Sequence, residues 1–287
     1  MSLMQNLTAT LLVSCPDQPG IVAQIAQFIY QNQGNIIHAD QHTDFSSGLF
    51  LNRVEWQLDN FRLSRPELLS AWSQLAEQLQ ATWQIHFSDQ LPRLALWVSK
   101  QDHCLLDILW RWRSGELRCE IPLIISNHPD LKSIADQFGI DFHCLPITKE
   151  NKLAQETAEL ALLKQYQIDL VVLAKYLQIL TTDFVVQFPN IINIHHSFLP
   201  AFPGANPYHR AHERGVKIIG ATAHYATAQL DEGPIIEQDV VRVSHRDNVD
   251  DLIRKGRDLE RVVLARAVRL HLQHRILVYD NRTVVFA

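Results

Sequence analysis

Two rhythms of apolar residues divide the chain. The first covers residues 8–87. Residues 8–14 run apolar and predict a strand, and Cys15-Pro16-Asp17-Gln18-Pro19-Gly20 behind it is dense turn chemistry. From Ile21 the apolar positions Ile21, Val22, Ile25, Ala26, Phe28 and Ile29 fall at helical spacing, and Gln33-Gly34 closes that helix. Residues 35–44 and 49–58 predict two strands joined through Ser46-Ser47-Gly48. Ser64 is placed to cap a helix with Pro66 in its first turn, running to about Leu79, and 83–87 forms a last strand. The predicted order is β-α-β-β-α-β.

After the polar link 88–92 the rhythm changes. Apolar stretches at 94–98, 121–126, 141–146, 170–173 and 191–195 alternate with helical ones at 105–112, 131–138 and 151–165. A further helix is capped by Thr181-Thr182-Asp183 and ends near Phe188. Strands that are apolar on both sides need cover on both sides, which predicts a parallel sheet between helical layers. Strands at 217–225 and 235–243, a helix at 248–274 and two short strands complete the pattern. The expectation is an α/β protein with two domains. A ferredoxin-like βαββαβ domain spans 1–88. A Rossmann-like, mostly parallel sheet with helices on both faces spans 89–287. At 287 residues the chain can give each domain its own core.

Composition narrows the partners. Net charge is −5 and no basic block occurs, which argues against nucleic acid and anionic membrane. No apolar run approaches a membrane span. The opening MSLMQNLTATLLVSCPD has no positive n-region and no small-residue cleavage pattern, so a cytoplasmic protein is expected. Cys15, Cys104, Cys119 and Cys144 are scattered without CxxC spacing and read as buried, reduced thiols.

Candidate chemistry collects in Ile191-Ile192-Asn193-Ile194-His195-His196-Ser197-Phe198-Leu199-Pro200. Asn193 and His195 are two apart, so on a strand they share a face. In open α/β sheets the ligand crevice lies at the carboxyl ends of the strands, where His195 would sit. An amide can donate to a developing oxyanion, and an imidazole can move a proton near neutral pH. Taken alone, the pair also fits a merely hydrogen-bonded strand end. Asp231, in a loop closed by Gly233-Pro234, adds a carboxylate able to hold an imidazolium and orient water. Ser197 lacks a G-x-S-x-G setting and reads as a loop brace. His195, His196, His209, His212 and His224 invite a metal reading. The absence of H-E-x-x-H and of paired cysteines argues against it, so the expectation is no metal, with His224 at the pocket edge.

Two resemblances extend this. Asp17-Gln18-Pro19-Gly20-Ile21-Val22 before a helix, with Gly34-Asn35-Ile36 opening the next strand, resembles the ACT domain family over most of 7–88. That implies either assembly into homo-oligomers (dimer or tetramer) or sensing of a small amino-acid effector, with Asp17, Gly20 and Asn35 at the matching ligand positions. Asn193-Ile194-His195 with Ser197, Leu199-Pro200 and Gly204, then Asp231-x-Gly233-Pro234-Ile235, resembles the folate-dependent formyltransferase family over roughly 93–245. The resemblance implies Asn193, His195 and Asp231 as catalytic residues. It also implies a folate slot along Lys175, Tyr176, Gln178, Ile179 and Leu180, with Ser197, Gly204, His224 and Gly233 near the substrate. Family members that bind a phosphorylated co-substrate have a glycine-rich loop after the first strand, and Ser99-Lys100-Gln101-Asp102-His103-Cys104 lacks it. With an ACT-like domain in front, the resemblance implies hydrolysis of 10-formyltetrahydrofolate by water in one-carbon and purine metabolism, folate being substrate and no cofactor being needed. The alternative is formyl transfer to a small unphosphorylated amine.

Overall fold

The computed structural model describes residues 7–201 and 207–286. They form two compact units. One comprises Met1–Leu91 and Gln273–Ala287, the other Pro92–Leu272.

In the first unit β1 (Thr8–Pro16), α1 (Ile21–Gln31), β2 (Asn35–Asp44), β3 (Leu49–Gln57), α2 (Arg65–Leu79) and β4 (Thr82–Phe87) follow in the predicted order. The sheet is antiparallel with strand order β2-β3-β1-β4. One face buries Ala9, Leu11, Val13 and Trp56 against Ile21, Ile25, Ile29, Leu68 and Trp72 of the two helices. Each leucine, isoleucine or valine among them contributes about 1.5–3 kcal/mol on full burial. Glu67 closes the start of α2 by accepting from the Ser64 backbone N–H at 2.8 Å, the capping-box arrangement.

The last two strands correct the expected boundary. They form a hairpin, β12 (Ile276–Tyr279) and β13 (Arg282–Val285), numbered after the second unit's strands. Their side chains Leu277, Tyr279 and Val284, with Phe286, pack on Leu12 and Leu51, on the side of the first sheet away from the helices. Residues 273–287 therefore belong with the first unit rather than with the 89–287 domain. Arg53 fastens this return by donating from Nε to the His274 carbonyl at 2.9 Å. The His86 and His274 rings stack at 3.6 Å.

The second unit holds β5 (Arg93–Val98), α3 (His103–Arg113), β6 (Glu120–Ser126), α4 (Lys132–Phe138), β7 (Asp141–Cys144), α5 (Lys152–Gln165), β8 (Leu170–Leu173), α6 (Thr182–Gln187), β9 (Ile191–His195), α7 (Pro207–Arg214), β10 (Ile218–Tyr225), β11 (Ile235–Arg242) and α8 (Val249–Leu272). Sheet order is β11-β10-β9-β8-β5-β6-β7. The strands from β9 through β7 pair in parallel; β10 and β11 are antiparallel. Leu163 of α5 and Phe184 and Val185 of α6 pack with Trp97, Val171, Leu173 and Ile191. α8 lies along β9, β10 and β11 and packs on α3. Thr181 caps α6 by accepting from the Phe184 N–H at 3.3 Å, as its position predicts. Cys15, Cys104 and Cys119 are buried free thiols, but Cys144, at the end of edge strand β7, is exposed, contrary to the expectation of burial. No helix among the described residues is long and apolar enough to cross a membrane.

Candidate active site

β9 ends in the middle of the sheet, where its carboxyl end opens between β8 and β10. Alternation puts Asn193 and His195 on the same side as Ile191. β10 runs antiparallel to it, with His224 directly opposite Asn193 and Thr222 opposite His195. Four polar side chains thus share one patch of a strand pair that is otherwise apolar.

The hydrogen bonds fix their states. His224 is buried, and its Nδ1 lies 2.9 Å from the Tyr225 carbonyl, which can only accept. Its Nε2 is then the acceptor, and Asn193 Nδ2 donates to it at 3.2 Å. Burial depresses the basicity of His224, which keeps it neutral. This orients the Asn193 amide with its second N–H free for a substrate oxygen. His224 is therefore an orienter of Asn193.

Asp231 arrives from the loop between β10 and β11. Its φ is +59°, a left-handed conformation that aspartate tolerates better than most residues. Its Oδ1 lies 3.1 Å from His195 Nδ1 and 3.9 Å from His224 Nε2. Burial alone would raise the Asp231 pKa, but the bond and charge of His195 outweigh it and hold the carboxyl below its ordinary range. His195 Nε2 is buried without a hydrogen-bond partner among the described residues. A buried ring nitrogen left open on the side away from its carboxylate is placed to exchange a proton with a bound substrate.

Other predicted positions divide. Ser197 donates to the Ala201 carbonyl at 2.6 Å, so its hydroxyl braces the loop. Thr222 donates to the Ser197 carbonyl at 2.8 Å and accepts from the Leu199 N–H at 3.1 Å, tying the 196–200 loop to β10. Gly233 is where the loop recrosses β10, against the Tyr225 carbonyl. Gly204 lies outside the described residues. Lys175 and Tyr176 turn inward. Lys175 Nζ pairs with Glu260 Oε1 at 3.2 Å, and the Tyr176 hydroxyl donates to Glu159 at 2.8 Å. Gln178 and Leu180 are half-buried, while Ile179, like Leu177, presents an exposed apolar side chain on the loop after β8. His209 and His212 are exposed on α7. Asp17, Gly20 and Asn35 are exposed in the first unit, and Asn35 bonds Gln57 at 2.8 Å. A groove of about 170 Å³ in that unit is lined instead by Val22, Ile36, Ala39, Asp40 and Asn52 among others.

Sequence reasoning missed Glu260. It is 1% exposed and lies on α8, one turn after Gly256 and one before Leu264. A carboxylate on an otherwise apolar helical stripe was the available signal. Its oxygens meet Lys175, the Tyr208 hydroxyl at 2.9 Å and His103 Nε2 at 2.7 Å. Gly256 makes room for this, since a Cβ there would fall 2.0 Å from the Tyr208 oxygen. His103, Cys104 and Glu260 place a nitrogen, a sulfur and an oxygen close enough to hold a metal, but Glu260 is already matched by an ammonium.

Glu159, beneath the 175–181 segment, is a second buried acid. Burial pushes its carboxyl up to about 7 despite the bond from Tyr176. A carboxyl raised on folding gives its full stability below the unfolded pKa, and that stability declines as pH rises toward the folded value. Glu159→Gln is expected to stabilise the protein by about 2–3 kcal/mol at pH 8 and hardly at pH 4, measured by chemical denaturation.

Residues 92–268 match the formyl transferase family and residues 9–77 the ACT domain. Fold and site together define a formyl transferase domain joined to an ACT domain. The chain is 50% identical to the formyltetrahydrofolate deformylase of Bacillus subtilis over 278 residues, covering 96% of this chain and 93% of the relative. The crystal structure of a formyltetrahydrofolate deformylase from Pseudomonas syringae pv. tomato superposes with a TM-score of 0.97 at 45% identity, covering 100% of this chain and 96% of that one. A second, from Burkholderia mallei, gives 0.92 at 41% identity, covering 98% and 99%. The chain belongs to the formyltetrahydrofolate deformylase family.

Proposed function

We infer that the protein hydrolyses 10-formyltetrahydrofolate to formate and tetrahydrofolate. The observation that carries the mechanism is the His195–Asp231 contact with Nε2 of His195 left open beside Asn193. Water adds to the formyl carbon. The second N–H of Asn193 and the Nε2–H of protonated His195 donate to the oxyanion as it forms. His195 then gives its proton to the departing N10, the C–N bond breaks, and the proton shed by the added water as formate forms returns to His195. Asp231 holds the imidazolium and is close enough to orient the water. The reaction as written needs no resident metal or cofactor.

Water as acceptor is supported by the family and by Ser99 to Cys104, which lacks the glycines of a phosphate loop. The exposed apolar side chains of Leu177 and Ile179 support docking of the pteridine along that loop, with backbone groups near Gln178 and Leu180 as its partners. In the first unit, edge strand β2 leaves Ile36 and Ile37 partly exposed, which supports assembly of copies there. The groove beside it supports a small effector, an amino acid being the class the ACT domain suggests. The test is formate release from 10-formyltetrahydrofolate with no amine added. Stoichiometric formate and tetrahydrofolate are expected. Turnover only after an amine is supplied would replace hydrolysis with transfer.

A further inference from the structure

His196 stacks on His195 with ring centroids 4.7 Å apart and planes 24° from parallel. Two imidazolium charges at that separation, inside a protein, strongly oppose each other. The mechanism wants the charge on His195, yet His196 is the same kind of base. Several groups face it. Lys175 approaches from the segment after β8, with Nζ 3.3 Å from Nδ1 of His196. The Tyr208 ring approaches from α7 at 6.2 Å. Asp231 acts on it through charge from the 226–234 loop. Behind Lys175 stand Glu260 of α8 and His103 of α3, with Cys104 beside them, and Arg257 acts on Tyr208 through charge.

An ammonium has three donors and no acceptor. Its approach to Nδ1 therefore requires a lone pair there, so His196 is neutral with its proton on Nε2. Lys175 is itself 6% exposed and in left-handed backbone, at φ +67°. A long β-capable residue held that way, with a buried carboxylate as counter-charge, is aimed rather than incidental.

We propose that Lys175 and Glu260 are positioning residues that keep His196 neutral, so that the single positive charge of the stacked pair resides on His195. This rests on the reading of His195 as proton donor. Ring-nitrogen spectra of 15N-labelled protein, with His196 assigned through His196→Gln, test it without turnover. The wild-type His196 signals are expected to keep the neutral Nε2–H pattern from about pH 5.5 to about pH 8. In Lys175→Met, His196 should titrate inside that window, and the alkaline limb of kcat should move about one pH unit lower as His196 competes for the proton. The double variant Lys175→Met/His196→Gln should return the limb to its wild-type position, because no second imidazole remains. A wild-type His196 that titrates like a free imidazole overturns the proposal. So does a Lys175→Met protein with neither change, or a double variant whose limb stays shifted. If Lys175→Met does not fold, the wild-type spectra still decide. If the wild type releases no formate, the hydrolytic reading fails while the spectra still judge His196.

Discussion

Asp231→Asn is expected to lower kcat for formate release by ~10²–10⁴, with KM for the folate changed far less, and His195→Ala to do at least as much. The reason is in the contact. Oδ1 of Asp231 faces Nδ1 of His195 at 3.1 Å, and an amide there supplies neither the charge that steadies an imidazolium nor a fixed acceptor. Steady-state kinetics beside circular dichroism and a thermal melt separate lost chemistry from lost fold. The pH sign follows from the same pair. Burial opposes ionisation of Asp231, but His195 more than compensates and its carboxyl sits low, so the ionised state persists below the ordinary carboxylate range near pH 4. Activity limited by Asp231 should therefore fall only under more acidic conditions than that. Its contribution to stability is likewise present above the ordinary range and is lost as pH falls through the lowered value. Near-normal turnover in both variants would remove the mechanism.

Gly233→Ala should be nearly as damaging, although Gly233 bears no chemistry. A Cβ there would lie 1.7 Å from the Tyr225 carbonyl oxygen and 2.9 Å from its carbon, both backbone atoms at the end of β10. The Tyr225 N–H also donates to the Pro234 carbonyl at 2.9 Å, so the two segments cannot simply part. One residue before Tyr225 is His224, which orients Asn193; two before Gly233 is Asp231. Moving either backbone disturbs a side chain that the proposed reaction uses. A drop of ~10² or more in kcat is expected from misplacement on the ångström scale, together with about 1–3 kcal/mol of lost stability from overpacking. Kinetics and a denaturation curve check both. Wild-type kcat in this variant would mean that the loop's path does not matter.

Strand parity made half of the site legible. A two-residue spacing on an apolar strand put Asn193 and His195 together, and β10 supplied His224 at the paired position. Asp231 was legible as a carboxylate in a Gly-Pro-closed loop and through the family resemblance, but nothing local encodes a left-handed residue reaching His195 from 36 positions downstream. The burial of Lys175 was not legible, because its partner Glu260 is 85 residues away on α8. The element order of both sheets followed from periodicity and turn residues; β1, β5, β8 and β9 are apolar enough to announce burial, whereas β2 is exposed along most of its length. The C-terminal hairpin was placed with the second domain, whereas it packs with the first unit. Its own pattern says hairpin but not where it docks, and the clue lay in Leu11-Leu12-Val13, which is apolar on both sides of β1 and so demanded a second cover.

That docking has a topological consequence. The chain leaves the ACT sheet at residue 91 and returns to it at residue 273, so the catalytic unit is an insertion held at both ends rather than a bead on one string. Cutting after residue 272 would strip the lining from Leu12 and Leu51 instead of trimming the enzyme's tail. Two covalent crossings, not one, join the two units, and the second of them runs directly out of α8, the helix that carries Glu260.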